Sequence, residues 1–211
     1  MIQTLRNSIY RLLPVQYRFS RIYHKNRWKN AESRSGDGST LRNTQNIRNF
    51  LEDTIHAYEI SSITDIACGD INWMSKIFET HDIRYAGFDI VPELIAENKR
   101  KYGSERVTFD VFNAIRNVPP KADLAIFRDC MLHLSLADGV AALKNIKASG
   151  TPLVLMSTWP SAAENRDIPS GHFRPVDMCR APFNLPAPLA QITENEPGKS
   201  AALWCPADWA I

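Results

Sequence analysis

Three observations predict an α/β fold: a doubly wound, mostly parallel seven-stranded sheet with an N-terminal helical extension. Between residues 62 and 157, β-prone apolar runs alternate with amphipathic segments, which demands parallel strands joined by crossover helices. In "SITDIACGDINWM" (61–73) a β-prone run breaks at Ala67-Cys68-Gly69, flanked by Asp65 and Asp70, where a first strand should turn into a first helix. A chain of 211 residues with 44% hydrophobic content is also large enough to bury one real core.

The elements follow in order. Leu5, Ile9, Leu12 and Leu13 fall at helical spacing with Arg6 and Arg11 between them, a short amphipathic helix interrupted by Pro14. "RSGDGST" (34–40) is a Gly/Ser loop. Its Ser39 or Thr40 is placed to cap the helix "LRNTQNIRNFLEDTIHAY", whose Leu41, Ile47, Phe50, Leu51 and Ile55 make an apolar face. Strands are expected at 62–67, 84–89, 106–112, 122–128 and 152–157, with helices at about 71–80, 92–101 and 136–148. "LAQIT" and "SAALWCPADW" supply two further, antiparallel strands. The pattern divides the chain into a basic extension (1–58) and a sheet domain (59–211). The stretch from 159 to 190 carries six of the 13 prolines, and 159–189 is expected to be a functional loop.

Charge is unevenly spread. Residues 1–50 hold ten of the 25 Lys and Arg but only Glu32 and Asp37 of the 23 acids, a balance of +8 that leaves the remainder at −6. The plain reading of the N-terminus is a helix packed on its own domain. Its alternatives are a face that docks on a membrane surface or a partner, and a transit segment. No apolar run approaches the roughly 20 residues of a membrane span. Four scattered cysteines (Cys68, Cys130, Cys179, Cys205) without a CxxC pair suggest neither a zinc ribbon, an iron–sulfur cluster nor a disulfide framework, and point to a cytoplasmic protein.

The turn "DIACGD" lies where a doubly wound sheet binds nucleotide-like ligands, yet it is neither GxGxxG nor GxxxxGK[ST]. Asp70 there opposes a pyrophosphate and favours a positively charged ligand. On Asp65, Ala67, Cys68, Gly69 and Asp70, and on Asp89 closing "YAGFD" 24 residues later, the chain resembles the class I S-adenosylmethionine-dependent methyltransferases. The resemblance covers roughly residues 60 to 158 and implies S-adenosyl-L-methionine as cofactor, with Asp89 on the ribose hydroxyls. Asn113 in "TFDVFNA" is the match near the adenine, with Asp110 as its alternative. Asn72, Trp73, Ile90 and Arg128 complete the expected cofactor set, and Trp73 is read either as packing or as a lid. Ala67 and Asp70 stand where the family's motif has further glycines.

Chemistry is expected after the fourth strand, in "AIFRDCMLHLS". If the segment is helical, Asp129 and His133 share a face, and His133, oriented by Asp129, suits removal of a hydroxyl proton. The alternative is that Asp129 caps a helix and His133 is packed. His172, in "SGHFRPVD", is a second candidate base. The fifth strand ends in "LMSTW" without an acid, so a metal would need Asn165 or Asp167 as third ligand, and none is expected. Absence of [DN]PP[YF] argues against methylation of nucleobase amines.

A narrower resemblance rests on "ESRSGDGSTL", "CGDINWM", "DIVPELI", "RDCMLHLS" and "HFRPVDMCRAPFNLPAP". These look like methyltransferase domains found beside glycosyltransferases in bacterial and viral glycan synthesis. It implies a sugar hydroxyl as acceptor, framed by "WKNAESRSGDGS" and the loop 159–189. Trp28 would serve as a stacking platform and Asn165 or Arg174 as hydrogen-bond donors. It also leaves room for a membrane-peripheral or glycosyltransferase association through the basic N-terminus. RNA or small-metabolite methylation, and an inactive cofactor-binding domain, are the alternatives. Nucleic acid is the less expected partner.

Overall fold

The computed structural model describes residue 10 and residues 12–211. The expected amphipathic helix over residues 5–13 lies mostly outside them. Tyr10 and Leu12 are helical and the helix stops before Pro14, and a further helix outside the expected set, α1 (Val15–His24), begins directly after it. α2 (Gln45–Ala57) starts later than Ser39 or Thr40 would set it. Its cap position is Thr44, without a side-chain cap bond, because residues 37–39 form their own 3₁₀ turn and Thr40 Oγ1 bonds back to the Asp37 carbonyl.

The sheet comprises β1 (Ser62–Ile66), β2 (Arg84–Asp89), β3 (Val107–Val111), β4 (Leu124–Phe127), β5 (Leu153–Thr158), β6 (Ala190–Thr193) and β7 (Ser200–Trp204). Its order is β3-β2-β1-β4-β5-β7-β6. β1 to β5 pair in parallel, and β7 runs antiparallel to both β5 and β6. The central strands "LAIF" and "LVLMST" are buried at every position, as a sheet covered on both faces requires.

Crossovers are α3 (Ser75–Phe78), α4 (Pro92–Tyr102) and α5 (Leu136–Ala148), the last capped by Ser135 Oγ accepting from the Asp138 amide. The helix expected over 71–80 shrinks to four residues. Ile71 adopts a left-handed φ of 62° and the chain turns through residues 72–74 before the helix can form. One face of the sheet packs on Ile47, Leu51 and Ile55 of α2 together with Ile77, Leu94 and Ile95, so the extension shares the sheet's own core. Among the described residues no helix is long and apolar enough to cross a membrane. The strand order reverses between β1 and β4, and the residues that follow these strands open onto a cavity of about 500 Å³.

Candidate functional site

The floor of the cavity is made by the turn after β1. Ala67 and Gly69 hold left-handed φ angles of 63° and 62°, and a Cβ at Gly69 would fall 2.3 Å from Ser35 Oγ. That position therefore needs glycine for both conformation and space. Asp65, Ala67, Cys68, Gly69, Trp73, Asp89, Ile90, Asn113 and Arg128 all line the cavity. Asp65 accepts a 2.7 Å hydrogen bond from the Tyr85 hydroxyl, and its pKa is pushed up to about 7 by burial, which that bond only partly offsets. Asp89 accepts from the amides of Gly69 (3.2 Å) and Val91 (3.0 Å), and burial again raises its pKa against those bonds. Among the described residues neither carboxylate has an ion-pair partner. Asn113 accepts from the Ile115 amide, which fixes its side chain at the rim. Asp110 instead pairs with Lys99 on the surface.

Two members of the expected cofactor set do something else. Asp70 and Asn72 do not line this cavity. Asp70 accepts from Ser33 Oγ and the Arg34 amide, and its own amide donates to Ser35 Oγ. Asn72 donates to Glu32 and to the Ser39 carbonyl. Together they tie down a strap, residues 32–39, whose Ser35, Gly36, Asp37, Gly38 and Ser39 line the cavity from outside the sheet. Trp73 both packs in the core and lines the cavity, with the Arg128 guanidinium 5.5 Å from its ring centre.

At the end of β4 the geometry departs from expectation. Asp129 takes a left-handed φ of 53° and only residues 131–133 are helical, as a 3₁₀ turn, so Asp129 and His133 do not share a helical face. Asp129 accepts from Ser157 Oγ (2.8 Å) and pairs with Lys199 Nζ (2.6 Å) and Arg128 (3.0 Å). These cations hold its carboxyl well below the usual range against the opposing effect of burial. Arg128 also pairs with Glu194 and donates to the Gly38 carbonyl of the strap. Lys199 and Glu194 have side chains only 1% exposed. Lys199, Glu194 and Glu196 went unnoticed in the sequence, where "ENEPGK" signals only a turn between two strands.

His133 lines the cavity on its own terms. Its Nδ1 lies 2.8 Å from the His172 carbonyl oxygen. A carbonyl only accepts, so Nδ1 carries the hydrogen and Nε2 the lone pair. Burial lowers the imidazole's pKa despite that bond, which keeps it neutral near neutral pH. The Trp28 ring stands 5.7 Å away and the Phe173 ring 6.0 Å, with Trp159 perpendicular to Phe173.

Three residues expected at the acceptor lie elsewhere. The His172 ring packs on Tyr10 and only its backbone serves the site. Arg174 is buried and grips the 3₁₀ turn, donating to the carbonyls of Met131 and Leu132. Asn165 braces the proline-rich loop through the carbonyls of Asp177 and Ala181. Among the described residues no group of three or more His, Cys, Asp or Glu could hold a metal ion.

No protein-family model matches the chain, and no curated protein does. Among solved structures it is similar to the N-methyltransferase NodS from Bradyrhizobium japonicum WM9 in complex with S-adenosyl-L-homocysteine. That likeness has a TM-score of 0.65 at 13% identity, over 87% of this chain and 97% of that one. It is also similar to magnesium protoporphyrin IX methyltransferase (ChlM) from Synechocystis PCC 6803 with bound S-adenosylhomocysteine (TM-score 0.58, 12% identity, 76% and 81% covered). A third likeness is to LaPhzM (TM-score 0.56, 13% identity, 76% of this chain), of which the chain spans 54%, about half its length. The seven-stranded sheet is thus the fold of known methyltransferases.

Proposed function

We propose that the protein is an S-adenosylmethionine-dependent methyltransferase that methylates a sugar hydroxyl, with His133 as the proton acceptor. The observation that carries this reading is the pair of carboxylates at the cavity floor, buried Asp65 and half-buried Asp89, neither with an ion-pair partner among the described residues. Carboxylates so placed suit a ligand rich in donors and positive in charge, and S-adenosylmethionine offers ribose hydroxyls, an ammonium and a sulfonium. Asp89 would take the ribose hydroxyls, the turn at Ala67 and Gly69 would let the ligand approach the backbone, and Asn113 would stand at the base. Bound there, the cofactor supplies an electrophilic methyl group on a positively charged sulfur.

The chain's own task is then to prepare the acceptor. His133 Nε2, free of the proton that Nδ1 holds, receives the hydroxyl proton, a role worth about 10²–10⁴ in rate. Asp129 does not orient His133; it neutralises Arg128 and Lys199 and thereby fixes the wall beside it. Trp28 and Phe173 offer aromatic faces to an acceptor ring and exclude water from the imidazole. The basic N-terminal segment is proposed to dock on an anionic membrane surface or an associated glycosyltransferase in the cytoplasm.

Titration calorimetry with S-adenosylhomocysteine, followed by transfer of labelled methyl to fractionated glycans, RNA and metabolites, tests both halves. Asp89→Ala should weaken cofactor binding by about 1–3 kcal/mol. Unchanged affinity would remove Asp89 from the cofactor site, and label in RNA instead of glycans would replace the acceptor.

A further inference from the structure

The acceptor side of the cavity is electrically unbalanced. Behind it, Asp129, Glu194 and Glu196 surround Lys199 at 2.6, 3.4 and 3.7 Å, and among the described residues Arg128 is the only other cation in the cluster. Three carboxylates against two cations leave one negative charge in excess. Among the described residues the buried Glu194 Oε1 has no hydrogen-bond partner, and Glu196 is the most exposed member, its side chain 43% exposed against 24% for Asp129. Among the described residues the Glu196 carboxylate has no contact closer than 3.7 Å to Lys199 and accepts no hydrogen bond. It lines the cavity beside Trp159, whose indole already faces a cation, with Lys199 Nζ 5.6 Å from the ring centre. Trp28 and Phe173, 37% and 59% exposed, add aromatic surface at the same mouth.

Resting on the methyltransferase reading, we propose that the acceptor carries a protonated amino group, received by Glu196 and the adjoining aromatic rings. An ammonium supplies the missing charge, donates to the free carboxylate, and is attracted to an indole face. Lys199, a cation, stands at the same wall. Its three carboxylate neighbours already consume its charge, so an incoming acid would meet a net negative surface. Among the described residues five carboxylates (Asp37, Asp65, Asp89, Asp129, Glu196) and two cations line the cavity, and one positive charge from a cofactor leaves that set negative. Phosphorylated and carboxylated acceptors are therefore disfavoured, whereas an amino sugar satisfies both the charge and the stacking surface.

The full chain saturated with S-adenosylhomocysteine is titrated with glucosamine, N-acetylglucosamine and glucuronic acid, with affinities read by saturation-transfer NMR. Glucosamine should bind at least fivefold tighter than N-acetylglucosamine, whose amine is masked, and glucuronic acid should bind weakest. Glu196→Gln should abolish the preference and Glu196→Asp should retain part of it. Equal binding of the three sugars, preference for glucuronic acid, no binding of any, or a preference that survives Glu196→Gln would each overturn the inference. Failure of the first step, binding of S-adenosylhomocysteine, is a different result: it removes the methyltransferase reading itself.

Discussion

The two walls of the cavity are built by opposite strategies. On the β1–β2 side the reactive groups come from one short stretch, Asp65 to Asp89, and each carboxylate is held by neighbours in its own βαβ unit: Tyr85, Gly69 and Val91. On the β4–β7 side the groups come from Gly38, Arg128, Asp129, Ser157, Glu194 and Lys199, which only the strand order brings together. Among the described residues the first wall leaves its acids without ion-pair partners; the second pairs its acids with Arg128 and Lys199 and leaves one negative charge over. The cofactor's charge is therefore read at the β1–β2 wall, while the β4–β7 wall serves rigidity and meets the acceptor.

The largest effect that would break this division belongs to His133. His133→Ala should lower turnover by roughly 10²-fold or more at saturating cofactor while S-adenosylhomocysteine affinity, measured by calorimetry, stays near that of the native chain. Asp129→Asn is the informative companion. With Asp129 committed to Lys199 and Arg128 instead of the imidazole, this change should lower thermal stability and move the pH midpoint of methyl transfer only slightly downward, by loss of a through-space charge. A downward shift of a full unit or more would restore the Asp129–His133 unit that the sequence suggests.

Next in size is Lys199, which probes the second wall alone. Lys199→Met leaves Asp129 and Glu194 without their shared ammonium in a buried setting, a change that typically costs about 3–5 kcal/mol. The unfolding midpoint in urea should fall with little change in slope. A variant as stable as the native chain would mean that the excess negative charge invoked for the acceptor site is not there.

The same division explains what could be read from the sequence. β2 runs from Arg84 to Asp89 as the alternation predicts, and the other parallel strands lie within a residue or two of expectation, because buried parallel strands are continuous apolar runs bounded by turns; antiparallel β7 stops at Trp204, where "CPAD" turns into a 3₁₀ segment. Asp65, Gly69 and Asp89 reach the cavity for the same local reason. The helix after β1 is shorter than its apolar spacing predicts, because that spacing says nothing about a left-handed Ile71 or about a strap that claims Asp70 and Asn72. α1 lies beyond the reach of the pattern because Pro14 marks the break before it and says nothing of the helix that resumes at Val15. The His133 tautomer and the Lys199 cluster depend on pairings across 39 and 70 positions of the chain, which no local periodicity carries.

The smallest predicted effect tests the first wall through pH. Asp65 is protonated more readily in the folded chain, its pKa lifted from 3.8 to about 7 chiefly by burial, with Asp89 adding to the lift and Tyr85 and Arg128 opposing it. Between those two values the folded state binds more protons than the unfolded one. Asp65's own contribution to ligand-free stability therefore falls as pH rises through that window and is constant above it. A positively charged cofactor reverses the preference, since it favours the ionised carboxylate. Binding should release a proton near neutrality, and affinity for S-adenosylmethionine should rise about tenfold from pH 6 to pH 8 before levelling off. Calorimetry in buffers of different ionisation enthalpy counts the proton directly. Asp65→Asn should flatten the profile and abolish the release. A native profile that is already flat would place the positive charge of the cofactor away from Asp65 and leave Asp89 as the main acid contact on this wall.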